Sequence, residues 1–132
     1  MFMANHDKKV LIGRTILLVD DDPLISRMYE RMLVRAGANV ILASNGIEGL
    51  EKLKDNKVDL ILLDVLMPQM NGYEMLKRLR ENPLTKDQLV VVLTNLQDRP
   101  EDIDKIKSLG IKDYLIKSKT SLKNLESDIA KC

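Results

Sequence analysis

Five short segments of the chain are apolar without a break: Ile16–Val19, Val40–Ala43, Leu60–Leu63, Leu89–Leu93 and Tyr114–Ile116. A strand with one wet face alternates apolar and polar side chains, whereas a strand covered on both faces does not. These segments therefore predict buried strands of a parallel sheet. Between them the apolar positions recur at helical spacing. Ile25, Met28, Tyr29, Met32 and Ala36 form the first stripe, with Asp22 placed to cap, Pro23 at the first helical position and Gly37 at the end. Ser44 is expected to cap a second helix carrying Ile47, Leu50 and Leu53. A third runs from Gly72 to Asn82 with Met75, Leu76 and Leu79 inward, and Pro83 stops it. Ile103, Ile106 and Leu109 line a fourth, closed by Gly110; Leu122, Leu125 and Ile129 line a last one.

Strict alternation of strand and helix implies parallel pairing through right-handed crossovers. The expected architecture is α/β: a flavodoxin-like, doubly wound (βα)5 fold with a five-stranded parallel sheet in the order 2-1-3-4-5. Residues 1–14 read as a poorly ordered N-terminal extension and residues 15–132 as the one domain. The polar stretch Glu81–Gln88 reads as a loop, not a boundary.

Composition narrows the class. The chain has 132 residues, enough to bury a core, with 45% hydrophobic and 31% charged residues. Its 21 basic and 20 acidic residues leave a net charge of +1, which gives no electrostatic case for nucleic acid or an anionic membrane. Cys132 is the one cysteine and the last residue, so an internal disulfide is excluded and a reducing compartment fits. The longest apolar run, Leu89–Leu93, is far too short to span a bilayer, and residues 1–14 carry no secretory pattern. A cytoplasmic location is expected. His6, in the polar stretch before the first strand, reads as a solvated tail residue.

The chemistry lies where strands emerge. In an open parallel sheet ligands bind at the carboxyl ends of the strands. Those ends carry Asp20, Asp21 and Asp22 on the first, Asp64 on the third, Thr94 on the fourth and Lys117 on the fifth. In the expected order, strands 1, 3, 4 and 5 are contiguous, so these groups converge. Clustered carboxylates resist joint ionisation, and a hard divalent cation relieves them. Oxygen-only ligands in small number suit Mg²⁺. A carboxylate can also act as nucleophile and form an aspartyl phosphate, while Mg²⁺ and a Lys neutralise the phosphoryl oxygens. Asp22 reads as a helix cap because Pro23 follows it; Met67 and Met70 read as packing residues.

Four separated motifs, Leu18-Val-Asp-Asp-Asp-Pro23, Asp64-Val-Leu-Met-Pro68 with Gly72, Leu93-Thr94 and Asp113-Tyr-Leu-Ile-Lys117, occur in this order from Thr15 onward. In them the chain resembles the receiver domain of two-component response regulators. The resemblance implies that Asp64 accepts a phosphoryl group from the phosphohistidine of a sensor histidine kinase or phosphotransfer protein. It implies that Asp20, Asp21, Asp64 and the backbone carbonyl of Leu66 hold Mg²⁺, and that Lys117 contacts the phosphoryl group. Thr94 and Tyr114 resemble the family's coupled switch pair, Tyr114 being equally readable as a half-buried strand residue. The implied output is a switched face formed by the fourth helix, fifth strand and last helix, roughly Ile103 to Ile129, and not an enzyme's turnover. With one helix after the last strand, docking of a protein partner is the expected output, without direct nucleic-acid contact or membrane insertion.

Two positions depart from the family pattern. Ser118 follows Lys117 where proline is usual, and a cis bond there costs about 2.5–4 kcal/mol, so a trans bond is expected. Asn95 follows Thr94 where a small residue is usual. With apolar Leu66 and Leu96 near the pocket, a long-lived phosphoryl Asp64 is expected; rapid loss of label in buffer contradicts this. Two other functions compete. A haloacid-dehalogenase-type phosphatase would use Asp20-Asp21-Asp22, Thr94 and Lys117, but leaves Asp64 and Pro68 unexplained and offers only helical Glu126 and Asp128 as a further acidic pair. A receiver-like scaffold that works without phosphorylation is the other.

Overall fold

The computed structural model describes the backbone of residues 10–64, 72–94, 100–111, 113–116 and 129–130, and side chains at 10–64, 72–93, 104–111 and 129–130. Its elements follow the expected alternation: β1 (Thr15–Val19), α1 (Pro23–Arg35), β2 (Asn39–Ala43), α2 (Gly46–Asp55), β3 (Leu60–Asp64), α3 (Gly72–Glu81), β4 (Val90–Thr94), α4 (Pro100–Lys107) and β5 (Asp113–Ile116). The strands form one parallel sheet in the order β2-β1-β3-β4-β5, as read from the sequence. Of the last expected helix, Ile129 and Ala130 are described and helical; Leu122 and Leu125 lie outside the described residues.

The continuous apolar runs have a simple cause. Successive strand residues point to opposite faces, and here both faces are covered. Ile16, Leu18, Leu60, Leu62, Val91 and Leu93 meet Tyr29, Met32 and Leu33 of α1 on one side, together with Ile129. Leu17, Val19, Ile61, Leu63, Val90 and Val92 meet Met75, Leu76 and Leu79 of α3 and Ile106 of α4 on the other. Leu11 also lies fully buried in the first cluster, upstream of the residues the strand pattern singles out. Its N–H donates to the Ala36 carbonyl (2.8 Å), tying the incoming chain to the end of α1.

Helix ends differ from expectation in small, explicable ways. Asp22 caps α1 as expected, accepting from the N–H groups of Leu24 (2.9 Å) and Ile25 (3.3 Å). Gly37, at φ +102°, ends α1: its N–H reaches the Val34 carbonyl and that of Ala38 reaches Leu33, a Schellman closure. The α2 cap is Asn45, not Ser44. Asn45 accepts from the Glu48 N–H (2.9 Å), while the Glu48 carboxylate accepts from the Ser44 N–H (2.6 Å). The reciprocal pair starts the helix one residue later than a Ser44 cap would. Asn82 leaves α3 because its side chain accepts from the Leu84 N–H (2.9 Å), an Asx turn that competes with another helical step. The strand Leu89–Leu93 is shifted by one residue, to Val90–Thr94, leaving Leu89 half exposed.

Candidate functional site

Parallel register sets the site. Val19 pairs with both Ala43 and Leu63, so Asp20 and Asp64 stand side by side one step further along β1 and β3. The Asp20 N–H continues the β1–β2 ladder to the Ala43 carbonyl (3.1 Å). By the pleat, Asp20 and Asp64 fall on the faces of Leu18 and Leu62, the α1 side of the sheet. Both are nearly fully buried, at 2% and 4% exposure, which is unusual for carboxylates at a strand end. Asp21, the next residue, is exposed.

Carboxylate oxygens from Asp20, Asp21 and Asp64 lie within 4.8 Å of one another. Three formal negative charges at this separation repel, and hard oxygens are the donor set that Mg²⁺ or a similar cation takes. The donor chemistry fits such an ion. The Asp20 carboxylate is also oriented by the chain: it accepts from the Asp22 N–H (2.9 Å) as the backbone turns into α1. Asp22 points away to its capping role, so the acidic triplet is divided between two tasks.

Ser26 is a site-building residue that the sequence reading missed. It is buried, and its hydroxyl donates to the Asp20 carbonyl (3.3 Å), bracing the β1–α1 turn from within α1. Its position held a signal: Ser26 falls three residues before Tyr29 and seven before Leu33, on the apolar face of the helix.

The structure brings three of the expected site residues together and positions the backbone of two more. Thr94 ends β4, one step beyond Leu93, the register partner of Asp64. Its own partner is Ile116, which immediately precedes Lys117 in the chain. Tyr114 pairs with Val92 in the body of β5. Leu66, Lys117, Asn95, Leu96 and the Lys117–Ser118 bond lie outside the described residues.

Comparison with known proteins agrees with this geometry. The family model of the response regulator receiver domain matches residues 16–129. The chain is 31% identical over 122 residues to the Regulator of RpoS of Escherichia coli (strain K12), covering 92% of this chain and 35% of that protein. It thus spans about a third of the length of that relative. Among solved structures, the chemotaxis protein CheY4 of Vibrio cholerae superposes with a TM-score of 0.81 at 30% identity, covering 89% of this chain and 97% of that one. The response regulator TrrA of Thermotoga maritima, solved in complex with Mg²⁺-BeF, superposes at 0.77 with 29% identity, covering 89% and 97%. Among the described residues no helix is long and apolar enough to cross a membrane. The sheet order, the strand-end carboxylates and the family match agree: the chain belongs to the response regulator receiver domain family of two-component systems.

Proposed function

We propose that this chain is a phosphoryl-accepting receiver in a phosphorelay, with Asp64 as the acceptor. The observation that carries the reading is the meeting of Asp20, Asp21 and Asp64 carboxylates within 4.8 Å at the strand ends of a receiver-family sheet. A carboxylate oxygen of Asp64 attacks phosphorus of the donor phosphohistidine. The P–N bond breaks, and its electron pair stays on the imidazole nitrogen of the donor. Asp20, Asp21, Asp64 and the Leu66 carbonyl form the proposed Mg²⁺ set. Bound Mg²⁺ supplies charge neutralisation on the phosphoryl oxygens. Lys117 faces the remaining negative charge, and the Thr94 hydroxyl donates to a phosphoryl oxygen.

In this reading Thr94 and Tyr114 couple the site to a face made of α4, β5 and the last helix, and the domain passes its signal by protein contact in the cytoplasm. The upstream partner is a sensor histidine kinase or phosphotransfer protein. The domain assists its own phosphorylation and dephosphorylation and turns over no other substrate. Moving that face from 1:99 to 99:1 requires phosphorylation to favour one state by about 5.5 kcal/mol.

Intact-mass measurement after incubation with Mg²⁺ and acetyl phosphate tests the reading. A single phosphoryl adduct, absent in Asp64→Asn, is the expected result. No adduct with acetyl phosphate or a cognate kinase overturns it in favour of a phosphorylation-independent scaffold. Steady hydrolysis of a phosphomonoester that depends on Asp20 overturns it in favour of a phosphatase.

A further inference from the structure

The edge of the sheet opposite the carboxylates holds a second concentration of polar contacts, built on one side chain. Arg80 lies in the last turn of α3 and is half-buried. Its Nε donates to the Leu109 carbonyl (2.7 Å) and its Nη2 to the Gly110 carbonyl (2.7 Å). Its Nη1 donates to the carbonyls of Lys86 (3.0 Å) and Gln88 (2.9 Å). Four of the five guanidinium donors are thus set on backbone oxygens from two segments: the loop leading into β4 and the turn between α4 and β5. The second segment is shaped for this. Gly110, at φ +72°, turns the chain out of α4 where the two consecutive carbonyls reach one side of the fork. Burial lowers the Arg80 pKa from its ordinary value, and Asp87 partly offsets this. In the shallow hollow of about 620 Å³ beside it, lined also by Lys86 and Asp87, the Arg80 guanidinium is already directed at carbonyls.

The contacts of α4 make this arrangement consequential. Among its described side chains, Asp104, Lys105 and Lys107 are exposed and only Ile106 is buried. Ile106 and the partly buried Leu109 pack this end of α4 on the core, and the Arg80 fork adds a polar hold just beyond its C-terminus. The N-terminal end of α4, at Pro100, follows β4 and the strand-end site.

We propose that Arg80 is a positioning residue: it pins the turn that closes the C-terminal end of α4 to α3, so that α4 responds to the strand-end site by moving about this fixed end. The response part of this inference rests on the phosphoryl-accepting reading above; the pinning part does not. Arg80→Met keeps the aliphatic stem and removes the fork. Arg80→Lys keeps a charge but cannot hold four carbonyls in two segments.

Hydrogen exchange read by mass spectrometry on the full chain, with and without Mg²⁺ plus acetyl phosphate, is the test. In unmodified Arg80→Met, amides of residues 104–116 are expected to exchange about tenfold faster or more, while β1 and β3 keep wild-type rates. The Asp64 adduct still forms, but the exchange difference it produces across residues 100–111 in the wild type is lost. Arg80→Lys falls between, and carries the test if Arg80→Met does not fold. Unchanged exchange at 104–116 overturns the pinning, and so does an equal rise in β1 and β3, which would mark general destabilisation. An adduct-dependent difference that survives intact in Arg80→Met overturns the positioning role. If the wild type takes no phosphoryl group, the functional reading fails while the rates of the unmodified proteins still decide the pinning.

Discussion

At the C-terminal edge of the sheet, carboxylates of Asp20, Asp21 and Asp64 lie within 4.8 Å of one another; at the N-terminal edge, the guanidinium groups of Arg14 and Arg80 each face backbone carbonyls. Arg14 donates to Ile129 (3.2 Å) and Ala130 (3.2 Å), joining the start of β1 to the end of the chain. The arginines are charge matched to acceptors that would otherwise be left at helix ends and turns, which is how a charge contributes to stability. The carboxylates gather like charge with like charge, an arrangement that calls for a cation or hydrogen-bond donors around them, of which the Asp22 N–H is one. The same sheet therefore separates arginines matched to carbonyls from clustered carboxylates by about the length of its strands, roughly 17 Å for five residues.

The widest separation between the two edges is expected from Asp64→Asn. It replaces the proposed nucleophile, so the adduct with acetyl phosphate disappears, while the unfolding free energy in metal-free buffer changes by less than about 2 kcal/mol. A loss of more than about 2 kcal/mol of unfolding free energy, the scale of a disrupted core contact, would make Asp64 a structural residue and break the comparison. At the opposite edge Arg14→Ala reverses the pattern. It is expected to cost about 1–3 kcal/mol by leaving the Ile129 and Ala130 carbonyls without their donor, with phosphoryl uptake retained. Urea denaturation and intact mass on the same sample read both quantities.

Mg²⁺ itself sharpens the contrast. At a free concentration about ten times its dissociation constant, binding only to the folded chain stabilises it by about 1.4 kcal/mol, a few degrees in midpoint. Wild type and Arg14→Ala should both show this shift at matched ionic strength. Asp21→Asn should lose most of it, and retention of the full shift there would remove Asp21 from the metal set.

How far these features are legible beforehand depends on whether they are local in the chain. The strands are legible because both sheet faces are covered, so burial writes itself as unbroken apolar runs such as Leu60–Leu63. Asp20 and Asp64 are legible because topology rules place strand ends together, and the register of β1 and β3 then sets them side by side. Arg80 is not legible. Its acceptors at residues 86, 88, 109 and 110 are backbone atoms, which carry no sequence signal, and two of them lie about thirty positions away. Leu11 escapes notice because Val10-Leu11-Ile12 is too short a run to show a period, and both its apolar neighbours are exposed. The Ser44 and Asn45 caps show the limit at short range: both are good capping residues, and only the Glu48 reach-back to Ser44 decides for Asn45.

The smallest expected effect divides the acidic triplet itself. Asp22 stands one residue from Asp21 and shares its chemistry, yet its carboxylate accepts from Leu24 and Ile25 N–H groups at the start of α1. A cap of this kind contributes about 1 kcal/mol, within a range of roughly 0.5–2. Asp22→Ala should therefore lower stability by about that amount, Asp22→Asn or Asp22→Ser by only a few tenths, and all three should keep the full Mg²⁺ shift. The logic is that a cap needs an oxygen of any charge, whereas a carboxylate ligand made neutral loses much of its attraction for the cation. If Asp22→Asn preserved stability but halved the Mg²⁺ shift, the third aspartate would belong with Asp20 and Asp21, and the acidic cluster would extend up to the first residue of α1 instead of ending before its cap.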